Sequence, residues 1–570
     1  MTKTKQFDAV LIGAGHNSLV CANYLARAGL KVLVLEARDI VGGACTSEEL
    51  IPGGIFSSCS YIQMMLRSEI VNDLELERYG LKSVAPQLQE MALWDDGENI
   101  MLWQEVDQTL RSVEKHNKAD GVNFMHFGAR LKRFGDLTHQ IQLSDPPSEV
   151  QLRQIFEDAG ESDLFEEFMV FSAEELLHKY IKSDRLRGFM MFMGLVSTWG
   201  GPNTPARHMS MATMLWVSLK AFSTALVSRE GGMGMISQSM VNALEAHGGE
   251  VRTSSPIKQV IVEEGRAAGV LLASGERIDS LLVISGADPT RSLVGLLPDN
   301  SLPESAQEEA KVIDQRGSMG RVHLLVNALP DYVGFEPGST GPQHQCLTIM
   351  GASPALYEMA AEAQERGDFP ADMVLEALIP SVTHPGLVST PGTHTLSLGV
   401  QQLPFDLAEG DWDSRKDEWA DKVLEIYFRY APNMRNHILA RHVITPLDLH
   451  RDYHITRGNI FHQSMIGLEN LFDQRPIKSA AHYRTPLSGY YLCGSGSHPG
   501  GGVSGMPGHN AAQRILADVA GLENTVVGRK IDKADRALMN TLLKTEVGRK
   551  LGYQVARSRI FRGLAKHLSK

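Results

Sequence analysis

Two glycines and one acid carry the first chemistry that can be read from this 570-residue chain. Gly13 and Gly15 stand in the turn Gly13-Ala14-Gly15-His16-Asn17-Ser18, and Glu36 follows about twenty residues later. The apolar run Ala9-Val10-Leu11-Ile12 enters the turn. A helical stretch continues to Ala28, Gly29 stops it, and Lys31-Val32-Leu33-Val34-Leu35 leads to the acid. Strand, glycine turn, helix, strand and acid, in this order, are what a dinucleotide requires. Gly13 permits a tight turn. Gly15 has no Cβ to hold a pyrophosphate away from the helix start, where free N–H groups and the helix dipole favour an anion. Glu36 accepts the two hydroxyls of an adenosine ribose and repels a 2′-phosphate, so NADP fits badly. Ser18 stands where a third glycine or alanine usually lets helix and strand approach, and serine is still small enough to do so.

Two further glycine-rich segments extend the pattern. Ala37-Arg38-Asp39-Ile40-Val41-Gly42-Gly43-Ala44-Cys45 carries a glycine pair that lets backbone pass close to a ligand. More than four hundred residues downstream, Tyr490-Tyr491-Leu492-Cys493 reads as a strand, residues 494–508 as a loop dense in glycine, and 510–519 as a helix. Successive backbone N–H groups of such a loop face a ligand, and the helix start adds partial positive charge.

On these segments the chain resembles the phytoene desaturase, carotenoid isomerase and retinol saturase group of FAD-dependent oxidoreductases, and most closely their bacterial phytoene dehydrogenase-like relatives. The motifs that carry the resemblance are Gly13-Ala14-Gly15-His16-Asn17, residues 36–44, Leu66-Arg67-Ser68-Glu69-Ile70 with Gly80-Leu81, Gly231-Gly232-Met233-Gly234, Ala287-Asp288-Pro289, Gly458-Asn459-Ile460-Phe461-His462 and residues 494–508. The resemblance implies an α/β fold of the amine-oxidase and phytoene-desaturase kind: a discontinuous Rossmann-type FAD-binding domain with an inserted α+β substrate domain. It implies FAD contacts from Gly13, Gly15, His16, Asn17 and Ser18, from Glu36, Ala37 and Arg38, and from Gly43 and Ala44. It adds Ile257, whose backbone meets the adenine in similar proteins, and Gly494, Ser495, Gly502, Val503, Gly505 and Met506 of the last loop.

The elements that must position these residues divide the chain. We assign the FAD domain to 1–70, 228–292 and 470–525, the substrate domain to 71–227 and 293–469, and a basic helical tail to 526–570. A helix from 231–234 to 246, a short strand at 250–252, a strand pair at 257–263 and 269–273, and a strand at 278–284 fill the middle piece. In the substrate domain, Trp94-Asp95-Asp96-Gly97-Glu98 reads as a hairpin turn. Helical patterns follow to residue 225 and include Phe189-Met190-Met191-Phe192-Met193, Met209, Met211 and Met214. Such side chains suit either an adaptable apolar tunnel or a packed core.

Candidate catalytic groups are His462, Arg475 and His498, which precede or occupy the last flavin loop. A histidine can accept a proton and Arg475 can orient an anionic substrate or the flavin. Each can equally be a structural hydrogen bond. Desaturation needs only a hydride passed to flavin N5 and a proton passed to a base or water. No cluster with the spacing of metal ligands is expected.

Charge and cysteines limit the partners. The formal net charge of −12 argues against nucleic acid. Basic residues crowd the segment after Gly528, interleaved with apolar ones at helical spacing. This is an amphipathic helix for peripheral contact with an anionic membrane, or a solvated helix docked on the acidic body or on a second copy of the chain. The five cysteines include no closely spaced pair, which excludes a flavin disulfide reductase, and no second dinucleotide motif for a nicotinamide is present. Electrons are therefore expected to leave to an external acceptor, oxygen or a quinone. The chain opens without an apolar leader, and a cytoplasmic protein is expected. The expected activity makes, saturates or isomerises a carbon–carbon double bond in a hydrophobic, isoprenoid or carotenoid-like substrate. Two alternatives stand beside it: an amine-oxidase-like attack on a C–N bond, and a non-catalytic flavoprotein that binds a membrane or partner.

Overall fold

The computed structural model describes residues 7–204, 228–229 and 231–520. Two seven-stranded sheets organise them. In the first, Phe7–Ile12 and Val32–Leu35 lie parallel at the centre. Arg277–Ser285 and then Tyr490–Leu492 continue the parallel sheet on one side, and Glu250–Arg252 closes the other. The central strands read as unbroken apolar runs because both of their faces are covered. Ala9, Leu11, Val32 and Val34 pack under the helices His16–Arg27, Gly234–Ala246 and Met506–Val519. Val10, Ile12, Leu33 and Leu35 pack on the other face against Leu293, Ala306 and Ile477. This is a Rossmann-type arrangement, assembled from segments nearly five hundred residues apart.

A hairpin extends the first sheet. Ile257–Glu263 and Arg266–Leu272 pair antiparallel, joined by Glu264 and Gly265 with φ of 49° and 76°. Positive φ at both central residues matches the twist of the strands it joins. The second strand therefore begins at Arg266, three residues earlier than the sequence pattern places it.

The second sheet runs in the order Ile438–Ile444, Ser318–Val326, His394–Leu403, Leu375–Leu378, Leu347–Met350, Leu88–Leu93 and Asn99–Trp103. Its strands come from both sides of the 228–292 region. One face is covered by the helix Trp412–Tyr430, whose Trp419, Val423 and Tyr427 meet Val322, Leu398 and Val400. A separate apolar cluster joins Ile349 and Leu347 to the helices Lys118–Gln142 and Asp184–Leu195. Among the described residues no helix is long and apolar enough to cross a membrane. The methionines at 209, 211 and 214 and the basic segment after Gly528 lie outside the described residues.

Two local findings differ from the sequence reading. The last helix starts at Met506, four residues before 510. Gly505, at φ 76°, turns the chain into the helix, and Pro507 in the first turn needs no N–H bond and already has a helical φ. The close approach expected at Ser18 is also managed from the other side. A Cβ placed on Gly286 would lie 1.8 Å from Ser18 Oγ, so the glycine that the first helix lacks is supplied at the end of a neighbouring strand.

Gly286→Ala is therefore expected to destabilise the protein by about 1–3 kcal/mol, the usual cost of overpacking. Ser18→Gly in the same chain should restore much of that loss, since it removes both the Oγ and the Cβ of Ser18 and leaves only the Ile12 carbonyl oxygen, at 3.3 Å. Denaturant melts of the two single variants and the double variant measure this coupling. Strictly additive losses would show that the two positions do not compete for space.

Candidate functional site

The carboxylate of Glu36 is the anchor of the first glycine turn. It is 7% exposed. Oε2 accepts from the Ala14 N–H at 2.7 Å and Oε1 from the Arg38 N–H at 2.9 Å. Each oxygen keeps lone-pair capacity for a ribose hydroxyl. Gly15 begins the helix His16–Arg27 with no side-chain cap and no acid in the first turn, and the helix Met506–Val519 begins in the same way. The first of these starts thus leaves its positive end open to an anion, whereas at the second the Met506 N–H donates to Ser504 Oγ at 3.2 Å.

A cavity of about 390 Å³ is built on this anchor. Gly13, Gly15, His16, Asn17, Ser18 and Glu36 line it, and so do Ala37, Arg38, Gly43, Ala44 and Ile257. Ser495, Gly502 and Val503 close it from the last loop. The segment after Glu36 lies directly on the first turn: Gly42 N–H donates to the Ala14 carbonyl at 2.9 Å, and a Cβ on Gly43 would stand 3.4 Å from Gly15 Cα. Gly42 is the position that demands glycine, because a Cβ there would fall 2.3 Å from the Cys45 carbonyl. The last loop is tied in by two side chains. Asn17 Nδ2 donates to Ser495 Oγ at 3.0 Å, and His16 Nε2 lies 3.1 Å from the Gly502 carbonyl. Burial pushes the His16 imidazole down to about 4, so it is neutral at neutral pH and can donate one N–H to that carbonyl.

Three expected cofactor residues stand behind this surface instead. Gly494 crosses Gly286, whose carbonyl would be 2.5 Å from a Cβ at 494. Gly505 turns the chain into the helix, and Met506 is buried in the apolar cluster below the loop. None of the three lines the cavity.

The catalytic candidates separate as well. His462 lines the cavity, its Nδ1 is buried without a hydrogen-bond partner, and burial lowers its pKa, so the imidazole is neutral. Arg475 does not reach the cavity. Its guanidinium is 0% exposed and donates to the carbonyls of Ser464, Phe461, Asn470 and Ser495 at 2.8–3.3 Å. It fastens the 458–470 segment to the flavin loop and orients neither substrate nor cofactor directly. His498 is likewise enclosed, with Nε2 2.9 Å from the Ile141 carbonyl. Tyr490 and Tyr491 are not an aromatic pair on the cavity: their hydroxyls donate to the Ser292 carbonyl at 2.8 Å and to Asp518 at 2.9 Å.

Beyond the glycine turns the same cavity continues into a chamber whose polar residues the sequence reading missed. Tyr61, Ile62, Met64 and Met65 line it from the first half of the chain, with Phe192, Met193 and Val196 from the helix Asp184–Leu195 and the turn after it. Phe192 and Met193 are thus cavity wall, whereas Met191 is core. From the second sheet come Arg321, Leu347, Glu376 and Gln401. The Arg321 guanidinium lies 3.6 Å from the centre of the Tyr61 ring. Burial pushes the Glu376 carboxyl up to about 8, against the Gln401 side chain that donates to it. The Gln401 amide is itself oriented by Ser197, whose N–H and Oγ–H meet Gln401 Oε1 at 2.9 and 3.1 Å. A charged residue inside the apolar strand Leu375-Glu376-Ala377-Leu378 is the signal that marks this position in the sequence.

The cavity's residues fit FAD: glycines that keep side chains out of the turn, a ribose-binding acid, one open helix start, and an unpartnered buried Asn17 Oδ1 at the turn. Comparison with known proteins agrees. Residues 19–327 match the family described as flavin containing amine oxidoreductase. The chain is 32% identical over 549 residues to the rat (Rattus norvegicus) pyridine nucleotide-disulfide oxidoreductase domain-containing protein 2, covering 90% of this chain and 94% of that one. It is 26% identical to the phytoene desaturase (neurosporene-forming) of Cereibacter sphaeroides, over 89% of this chain and 94% of the relative. Among solved structures, wild-type putrescine oxidase bound to putrescine superposes with a TM-score of 0.59 at 18% identity, covering 91% of this chain and 100% of that one. The five cysteines of this chain are all buried and none is joined in a disulfide.

The ionisation of Glu376 gives a test of the chamber's electrostatics. A carboxyl whose pKa is raised on folding binds its proton more tightly in the folded state, so stability falls as pH rises from about 4.5 to about 8 and then levels. Glu376→Gln removes this titration. The melting temperature of the variant should gain on the wild type across that window and not beyond it. A difference that stays constant from pH 5 to pH 9 would show that Glu376 is not held neutral by burial.

Proposed function

The chain belongs to the family of flavin-containing amine oxidoreductases, as an FAD-dependent oxidoreductase, and from that premise we propose that the bond it acts on joins two carbons of an apolar small molecule. The observation that carries this reading is the continuity of one cavity from Glu36 to the apolar chamber under Arg321 and Glu376. When bound, FAD supplies a two-electron centre that takes or gives hydride. The chain's own residues then have three tasks. Met193, Phe192, Tyr61 and Leu347 exclude water and hold an apolar body by shape alone. His462, neutral and with a free Nδ1, can hold the proton that leaves carbon when a double bond forms. Glu376, protonated at neutral pH, can return one when a double bond is saturated or moved.

Electrons leave to an external acceptor, oxygen or a quinone, since the sequence carries a single dinucleotide motif. The likeness to a phytoene desaturase over nearly the whole chain supports the carbon–carbon reading. The C–N reading has less behind it: the likeness to putrescine oxidase is one of fold, and the tyrosine pair that an amine site would use is engaged elsewhere.

Anaerobic titration of the yellow protein with isoprenoid alkenes and with amines tests the proposal. Bleaching by an alkene-bearing or saturated isoprenoid, with none by amines, is the expected result. Bleaching by amines alone would overturn it, and a flavin that neither class reduces would favour a binding role.

A further inference from the structure

The chamber holds one cation that no carboxylate of the described residues answers. Arg321 is 3% exposed. Its Nε donates to the Cys59 carbonyl at 2.8 Å, Nη2 sits 4.0 Å from the Met319 sulfur, and Nη1 is buried with no hydrogen-bond partner. Burial lowers its pKa only to about 9, so it remains charged at neutral pH. The Tyr61 ring beneath it offers a polarizable face but accepts no hydrogen bond along the Nη1 direction. A desolvated guanidinium with an unused donor is costly unless something arrives to meet it.

The strand register shows where that something fits. Arg321 stands opposite Gly399, and Gly399 stands opposite Glu376 on the next strand. The two polar side chains are therefore two strands apart, about 10 Å by ordinary strand spacing, with no side chain between them. Glu376 leans over the glycine, since a Cβ at 399 would meet its Oε1 at 2.6 Å. It does not neutralise Arg321, because burial keeps its own carboxyl protonated. The row thus presents one fixed positive charge beside a neutral acid that covers the glycine, with Gln401 next to the acid and Ile62, Phe192, Met193 and Leu347 as apolar wall.

We infer that the substrate of this site carries an anionic oxygen head, a carboxylate, that seats on Arg321 while its apolar body lies along Ile62, Phe192 and Met193. The inference rests on the function proposed above. A carboxylate meets the guanidinium through charge-assisted hydrogen bonds, an alcohol gives only neutral ones, and an ammonium is repelled by the same charge.

The test uses the flavin-loaded protein and three probes that differ only in the head group: octanoate, octanol and octylamine. Binding is followed by calorimetry and by perturbation of the visible flavin spectrum. Octanoate is expected to bind at least about tenfold more tightly than octanol, with octylamine weakest. Arg321→Gln should bring octanoate down to the affinity of octanol, and Arg321→Lys should keep part of the preference. Equal affinities, tightest binding of octylamine, or no binding of any probe to the wild-type protein would overturn the inference. An Arg321→Gln protein that folds but loses its flavin would also overturn it, by assigning the guanidinium to the cofactor. Should that variant not fold, the order of the three probes on the wild-type protein decides. Failure of the parent reading is distinct, because it shows in the anaerobic titration as bleaching by amines alone or by neither class, whatever the order of the three head groups.

Discussion

The cofactor half of this protein depends on a carboxylate placed where water barely reaches it. Glu36 ends a buried strand, and its two oxygens take up the N–H groups of Ala14 and Arg38 on either side. A nearly buried charge persists only when hydrogen bonds hold it, so the shape of the first glycine turn and the presence of the charge are one fact. Once the turn is fixed, the Gly42-Gly43 segment can lie on it through Ala14, and the last loop can reach it through Asn17 and His16. Three segments far apart in sequence converge because one short turn offers each of them a partner.

The substrate half obeys a different constraint. Its sheet is covered on one face by the helix Trp412–Tyr430 and on the other turns toward the cavity, where Arg321, Gly399 and Glu376 form a row. A polar row on a buried face is unfavourable for folding, and it persists here at the wall of a space that reaches the dinucleotide cradle. The chamber's polarity is sparse and fixed: Gln401 is locked by Ser197, and Arg321 by the Cys59 carbonyl. Fixed polar groups in an apolar space select a ligand by a few contacts and leave its body to shape.

Much of the cofactor site was legible in the sequence, because backbone geometry imposes residue types that cannot be exchanged. Gly13, Gly15 and Glu36 sit where their types require. Ile257 lines the cavity although its side chain says little, since the strand that carries it alternates clearly. The expected residues that do not line the cavity have a common origin. Gly494, Gly505 and Met506 belong to a loop whose composition announces a ligand without saying which residue faces it. Arg475 and His498 are types that do chemistry, yet they serve the loop by satisfying carbonyls. The chamber was the least legible part. Arg321, Glu376 and Gln401 become neighbours only through strand pairing across long separations, and no local pattern announces that pairing.

The most direct test of the account is the flavin content of purified Glu36→Arg, measured as FAD released per folded chain beside the wild type. The account predicts a wild-type protein with close to one FAD per chain and a folded variant whose FAD falls at least about tenfold, since one charge-assisted anchor is exchanged for a repulsive charge at the ribose end. A folded Glu36→Arg protein with unchanged FAD content would contradict it.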